Sequence, residues 1–345
     1  MHIINEFPGR EVKIAGKNYL YFGGTSYLGL QTDKAFQSLY YKNMKRYGTG
    51  YGASRKSNIQ LSIYKEMEEY LAQLVGSERC LTMSSGYLAG QLLHQYLIQG
   101  NLDLYYAPGT HSALSNVLAK KHVSKLALTK DLMQHPEQDK VLMMDSIDFK
   151  GENYPDYQWL TALPLHKMTL VIDDSHGIGI TGINGGGSYK FLDSLRPKNL
   201  LVTCSLGKGY GIGAGAIFGT RAMIDSLMDT EMFGGSSPAA PAALATLRDA
   251  ESIIDEKRNL LKRNLTLFLK NLKHPSQFSS SKGHPTFSFQ NEKLALTLEQ
   301  EGIIVTNFRY PTANNDLMSR IVISALHTTD DILTLCNSLN QLQSY

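Results

Sequence analysis

Between residues 79 and 219 the chain repeats one pattern: a short apolar run closing on glycine, serine or a charged turn, then a helical stretch. The runs are 79–83, 102–106, 125–128, 140–145, 168–173, 199–203 and 213–218. Near-continuous apolar strands separated by helices fit a mostly parallel sheet covered on both faces, so an α/β fold is expected. The flanks read differently. Residues 12–21 alternate like a strand pair, 33–47 read as a helix, 48–55 are glycine-rich, and 59–75 form an amphipathic helix. After Gly219, residues 238–272 read as one long helical stretch. The remainder (PTFSFQ, GIIVTNFRYP, RIVISAL and a helix over 329–342) reads as a compact α+β unit. Three segments are expected: 1–40 packing with the small domain, 41–235 the large cofactor-binding domain, and 236–345 the linking helix and small domain.

In open α/β sheets ligands gather at the carboxyl ends of the strands, so reactive residues there carry most weight. The run MTLVIDDSH ends on Asp173, with His176 three residues on, and NLLVTCS ends at Ser205, followed by Lys208. An acid at one strand end and a lysine at the next face the same crevice. Pyridoxal 5′-phosphate needs both: an amine to hold its aldehyde carbon and a buried carboxylate to keep its pyridine nitrogen protonated. Taken alone, Lys208 is an ordinary loop lysine and Asp173 an ordinary strand-end cap. The pairing and its glycine-rich surroundings are what suggest a site.

Nothing else competes strongly. With 42% hydrophobic and 19% charged residues over 345 positions, a soluble globular protein is expected. The net charge of +3 is small and scattered, which argues against nucleic acid; the basic run 116–124 reads as a solvated helix end. Cys80, Cys204 and Cys336 lie far apart without metal-ligand spacing and read as reduced thiols. No secretory leader and no long apolar stretch is visible, so a cytoplasmic protein is expected, with no membrane partner.

The motifs together resemble the α-oxoamine synthases, a family of fold-type-I pyridoxal phosphate enzymes. The resemblance runs over about residues 20–340. It is carried by YLGL (27–30), GYGASR (50–55), EMEEYLAQLVGSE, SSGYLA (84–89), VIDDSHGIGITGINGGG, SLGKGYG (205–211) and GIIVTNFRYP with RIVISALHT. It implies a large domain with a mostly parallel mixed sheet flanked by helices, plus a small α+β C-terminal domain.

The resemblance also implies roles. Lys208 would hold the cofactor as a Schiff base, Asp173 would meet the pyridine nitrogen, His176 would donate to the 3′ oxygen, and His111 would stack on the ring. Ser85, Gly86 and Tyr87 open a helix whose free N–H groups suit a phosphate dianion; Ser205 would add a hydroxyl, and Ser236 would reach the phosphate of a neighbouring subunit. Arg320 would hold the substrate carboxylate bidentately, with Arg309 the competing arginine. A homodimer with shared active sites is implied.

Several positions depart from the family pattern. Its asparagines appear as Thr25 and Gly90, its cofactor-side serine as Asp148, a glycine as Ile59 and a helix histidine as Tyr64. The chain also begins later than family members do, which suggests that their N-terminal helical extension is missing. Thr25 and Asp148 are therefore taken as substrate-side candidates. The expected reaction is a C-acyl transfer between a small amino acid and an acyl thioester. An aminotransferase, aldolase or racemase on the same scaffold, or a degenerate binding homologue, are the alternatives.

Overall fold

A computed structural model describes residues 2–100, 102–115, 124–134, 139–310 and 312–342. The strands β1 (Glu11–Ile14) and β2 (Lys17–Phe22) pair antiparallel and lead to α1 (Lys34–Tyr47) and α2 (Ser62–Val75). Elements then alternate: β3 (Arg79–Met83), α3 (Gly86–Gln99), β4 (Asp103–Tyr106), α4 (Lys125–Met133), β5 (Lys140–Asp145) and β6 (Met168–Asp173). After these come α5 (Tyr189–Ser194), β7 (Asn199–Ser205), α6 (Leu206–Gly209) and β8 (Gly215–Gly219). Helices α7 (Arg221–Met228), α8 (Glu231–Gly235), α9 (Pro241–Asp249) and α10 (Glu251–Asn271) follow. The chain closes with β9 (Thr286–Phe289), α11 (Glu292–Gln300), β10 (Ile303–Arg309), β11 (Leu317–Val322) and α12 (Thr329–Leu342).

The larger sheet has the order β3-β8-β7-β6-β5-β4. Strands β4 to β7 run parallel, and β8 is antiparallel to both its neighbours. Every residue of β6 is buried, which is why MTLVID carries no alternation: both faces meet helices or their connections. The register sets Asp145 beside Asp173 and Asp173 beside Thr203, so three strand ends come to one line. The smaller sheet, β1-β2-β10-β11-β9, joins strands from both ends of the chain, with β2 parallel to β10.

Two expectations for the elements change. The run 125–128 is not a strand; it opens α4, where the Ser124 hydroxyl caps the helix by accepting from the Ala127 amide at 3.2 Å. Four apolar-leaning residues have no periodicity long enough to separate the two forms. The stretch 238–272 is two helices, α9 and α10, broken at Ala250 with φ −99° and ψ 12°. Residues 116–123 of the basic run lie outside the described residues. Among those described, no helix is long and apolar enough to cross a membrane.

The glycine-rich loop is tied down by a buried ion pair. Arg55 meets Glu68 of α2 bidentately at 2.8 and 2.9 Å, with side chains 8% and 10% exposed. Glu68 also accepts from the Thr82 amide (2.8 Å) and hydroxyl (2.9 Å) in β3. The guanidinium lies 4.2 Å from the Tyr64 ring centre. One carboxylate thus joins loop, helix and sheet. Arg55→Met is expected to lower the unfolding free energy by about 3–5 kcal/mol in denaturant titration, because Glu68 is then buried without its counter-charge.

Candidate active site

The carboxyl ends of β5, β6 and β7 bring the reactive side chains together. Lys208 lies in the single turn of α6 just beyond β7. That turn is fixed at Ser205, whose amide donates to the Ser175 hydroxyl at 2.8 Å and whose hydroxyl accepts from Gly207. The Lys208 Nζ stands 3.1 Å from His176 Nε2, and His176 Nδ1 stands 2.8 Å from the Tyr27 hydroxyl. Burial pushes the Lys208 ammonium below its ordinary range, against the pull of Asp173 and Asp145. His176 is driven well below the usual histidine range, first by burial and then by Lys208, so its ring is neutral. Tyr27 is pushed up to about 12 by burial and remains a hydroxyl. A neutral imidazole between a hydroxyl and an amine can present its one N–H toward either side.

Asp173 accepts from the Ser175 amide at 2.9 Å, and its other oxygen lies 3.9 Å from His111 Nδ1. Its neighbour Asp174 points elsewhere. It takes the Ser146 hydroxyl and the Ser188 amide, and burial raises its pKa to about 6. A Cβ on Gly177 or Gly187 would come 2.1 or 2.0 Å from the Asp174 carboxyl, which accounts for two glycines of GIGITGINGGG. The adjacent acids are thus divided by strand alternation, one to the crevice and one to the backbone. His111 is anchored through its amide, which donates to Asp145 Oδ1 at 3.0 Å. Its Nε2 meets the Tyr310 hydroxyl at 2.8 Å, with the two rings 11° from parallel. Burial holds His111 below the usual histidine range.

Arg320 projects from β11 toward the same crevice. Its guanidinium carbon lies 3.7 Å from the Phe149 ring centre, and it makes no ion pair or side-chain hydrogen bond among the described residues. Arg309 is placed differently: exposed at the end of β10, it donates to the Asn315 carbonyl at 2.7 Å.

The phosphate candidates form a cradle. Ser85 caps α3, accepting from Leu88, and the remaining first-turn amides of that helix have no intrahelical acceptor. A Cβ on Gly86 would lie 2.6 Å from Ser205 Cα, so only glycine lets the start of α3 touch the end of β7. Ser85 and Ser205 therefore sit together at the head of the Lys208 turn. Tyr87 is 55% exposed and can offer the cradle its amide. Half-buried cations, an acid at a strand end and an open helix N-terminus together fit a phosphate-bearing aldehyde with a basic ring nitrogen.

Three candidates are not drawn into this cluster. Asp148 is occupied: its carboxylate caps the amides of Lys150, Gly151 and Glu152 and pairs with Lys125 at 3.0 Å, so it pins a loop and leaves no open charge for a substrate. Thr25, half-buried after β2, makes no side-chain hydrogen bond among the described residues. Ser236 ends α8 with its hydroxyl on the Met232 carbonyl. Four other residues join the cluster unforeseen: Asp145, Tyr27, Phe149 and His284, whose Nε2 lies 3.0 Å from the His176 carbonyl oxygen. Asp145 ends an apolar run as Asp173 does, and Tyr27 lies in YLGL; both were signals. Phe149 and His284 have no sequence signal, because a loop and a distant sheet bring them in.

The profile of the aminotransferase class I and II family matches residues 20–339. A Buchnera aphidicola protein named 8-amino-7-oxononanoate synthase is 28% identical, over 96% of this chain and 91% of the relative. A protein of the same name from Vibrio campbellii is 28% identical, over 97% and 92%. Among solved structures, a serine palmitoyltransferase from S. paucimobilis with PLP and myriocin bound superposes with a TM-score of 0.82. It is 18% identical, covering 100% of this chain and 92% of that one. An 8-amino-7-oxononanoate synthase from Francisella tularensis gives a TM-score of 0.73 at 19% identity, covering 95% and 98%. By its matched length and its fold, the chain belongs to the aminotransferase class I and II family.

Proposed function

We propose that the protein is a pyridoxal 5′-phosphate-dependent C-acyltransferase of the 8-amino-7-oxononanoate synthase or 2-amino-3-ketobutyrate CoA ligase type. It joins a small amino acid to an acyl thioester and gives an α-amino ketone. The observation that carries this reading is the contact of Lys208 Nζ with a neutral His176, in a crevice that also holds Asp173, His111 and Arg320. The cofactor, when bound, supplies an electron-withdrawing ring that eases bond breaking at the amino acid Cα.

The chain's own residues then divide the work. Lys208 would hold the cofactor and, once the substrate amine takes its place, its Nζ would accept the Cα proton. A base below the ordinary lysine range is suited to that transfer near neutral pH. Asp173, its position fixed by the Ser175 amide, would meet the ring nitrogen. His176, backed by Tyr27, would donate to the 3′ oxygen, and His111 would cover the ring face. Ser85, Gly86, Tyr87 and Ser205 would hold the phosphate. Arg320 would take the substrate carboxylate and so orient the substituents on Cα. The Cα carbon would then attack the thioester carbonyl with loss of the thiol, the substrate carboxyl would depart as carbon dioxide, and the proton held on Lys208 Nζ would return to Cα. We further place the protein in the cytoplasm as a homodimer, in which Ser236 reaches the neighbouring phosphate; the three cysteines, all free and buried, accord with a reducing compartment.

Incubation with glycine, L-alanine or L-serine and a panel of acyl-CoA esters is expected to release free thiol in step with carbon dioxide. Formation of pyridoxamine phosphate with a keto acid, and no thiol, would identify an aminotransferase in its place. In the same assays Lys208→Ala is expected to lose the cofactor fixed to protein by borohydride and to slow Cα proton exchange by roughly 10²–10⁴-fold. Unchanged exchange in that variant would remove Lys208 from the reaction.

A further inference from the structure

Phe149 occupies a position that a bulky side chain rarely takes. Its φ is +55°, in the left-handed region, and the residue is 9% exposed. Such a conformation persists where the surroundings over-determine it, and here they do. The preceding Asp148 caps three following amides and pairs with Lys125. Two residues on, Gly151 has φ +79°, and a Cβ there would stand 2.6 Å from the Ser280 carbonyl oxygen. The loop is built from both sides to place one ring. That ring meets His176 edge-on at 4.8 Å and His284 at 5.8 Å, while its face lies under the Arg320 guanidinium at 3.7 Å.

A guanidinium can be steadied in two ways. A carboxylate partner would consume its in-plane N–H donors, whereas an aromatic face attracts the cation from above and leaves the donors free. Arg320 has the ring face and, among the described residues, no carboxylate. We propose that Phe149 is the positioning residue for Arg320: stacking holds the cation flat and orients its open fork for an incoming carboxylate. The inference rests on the reading of Arg320 as the carboxylate-binding residue. It also gives Asp148 a function, since the cap and the Lys125 pair hold the backbone on which Phe149 is mounted.

Cofactor-loaded enzyme is titrated with L-alanine and with L-alanine methyl ester, and binding is followed by the change in cofactor absorbance. Phe149→Leu keeps apolar bulk and loses the π face. Phe149→Gly relieves the left-handed backbone and supplies the same reading should the leucine variant not fold. Either is expected to weaken L-alanine by roughly tenfold and the ester by less than about twofold, with the unfolding midpoint reported alongside. Phe149→Tyr is expected to retain wild-type preference for the acid. In an Arg320→Gln background, Phe149→Leu is expected to add nothing further. Equal weakening of acid and ester would make Phe149 a merely structural residue and overturn the proposal. A wild-type preference for the acid that survives loss of the ring would overturn it as well, leaving Arg320 intact. A wild type that binds acid and ester alike would overturn the reading of Arg320, and this inference with it.

Discussion

Two carboxyl groups stand side by side at the ends of neighbouring parallel strands, Asp145 on β5 and Asp173 on β6, and the crevice is arranged around them. Like charges at that spacing cannot both be ionised cheaply in a desolvated place. Burial and then the proximity of Asp173 drive the Asp145 carboxyl well above its ordinary range. The opposing side is built with equal care: Lys208 and Arg320 are cations under desolvation, and both His176 and His284 are held neutral, His284 down to about 4. Adding a proton to either histidine would crowd a third charge against Lys208 and Arg320. The polarity of the crevice is therefore fixed by where two strands stop.

The division between Asp173 and Asp174 illustrates what is legible in a sequence. The dipeptide itself does not say which acid faces the crevice; the β6 pleat decides, and the glycines at 177 and 187 record the answer through the room they leave for Asp174. The apolar runs of the larger sheet were readable because strands buried on both faces have no other composition open to them. The run at 125–128 was not, because its helical cap at Ser124 looks like any other serine. Lys208, Asp173, His176 and His111 could be found from strand ends and motifs. Phe149 could not, since nothing in DFKGE announces a left-handed phenylalanine.

Asp148 shows the opposite difficulty. As a departure from a family pattern it invites a chemical role, yet its oxygens are spent on three backbone amides and Lys125. Aspartate is favoured in such turns because its short carboxylate reaches amides two to four residues on. A charge near a site in sequence need not be charge in the site.

The smaller sheet has a consequence for how the chain acquires its shape. Strand β2 is hydrogen-bonded to β10, so residues 20–22 find their partners at 303–305. The hairpin of β1 and β2 therefore joins its sheet only across the long stretch of chain between residues 22 and 303. Tyr27, just beyond that hairpin, has a long-range partner of its own in His176, at 2.8 Å. Closure of this long loop carries the entropy cost of a non-local contact and exposes an unpaired strand edge in the interval. The pairing that joins β2 to β10 thus ties the segment of Tyr27 to the sheet that carries Arg320, so the fold and the crevice rest on one set of long-range contacts.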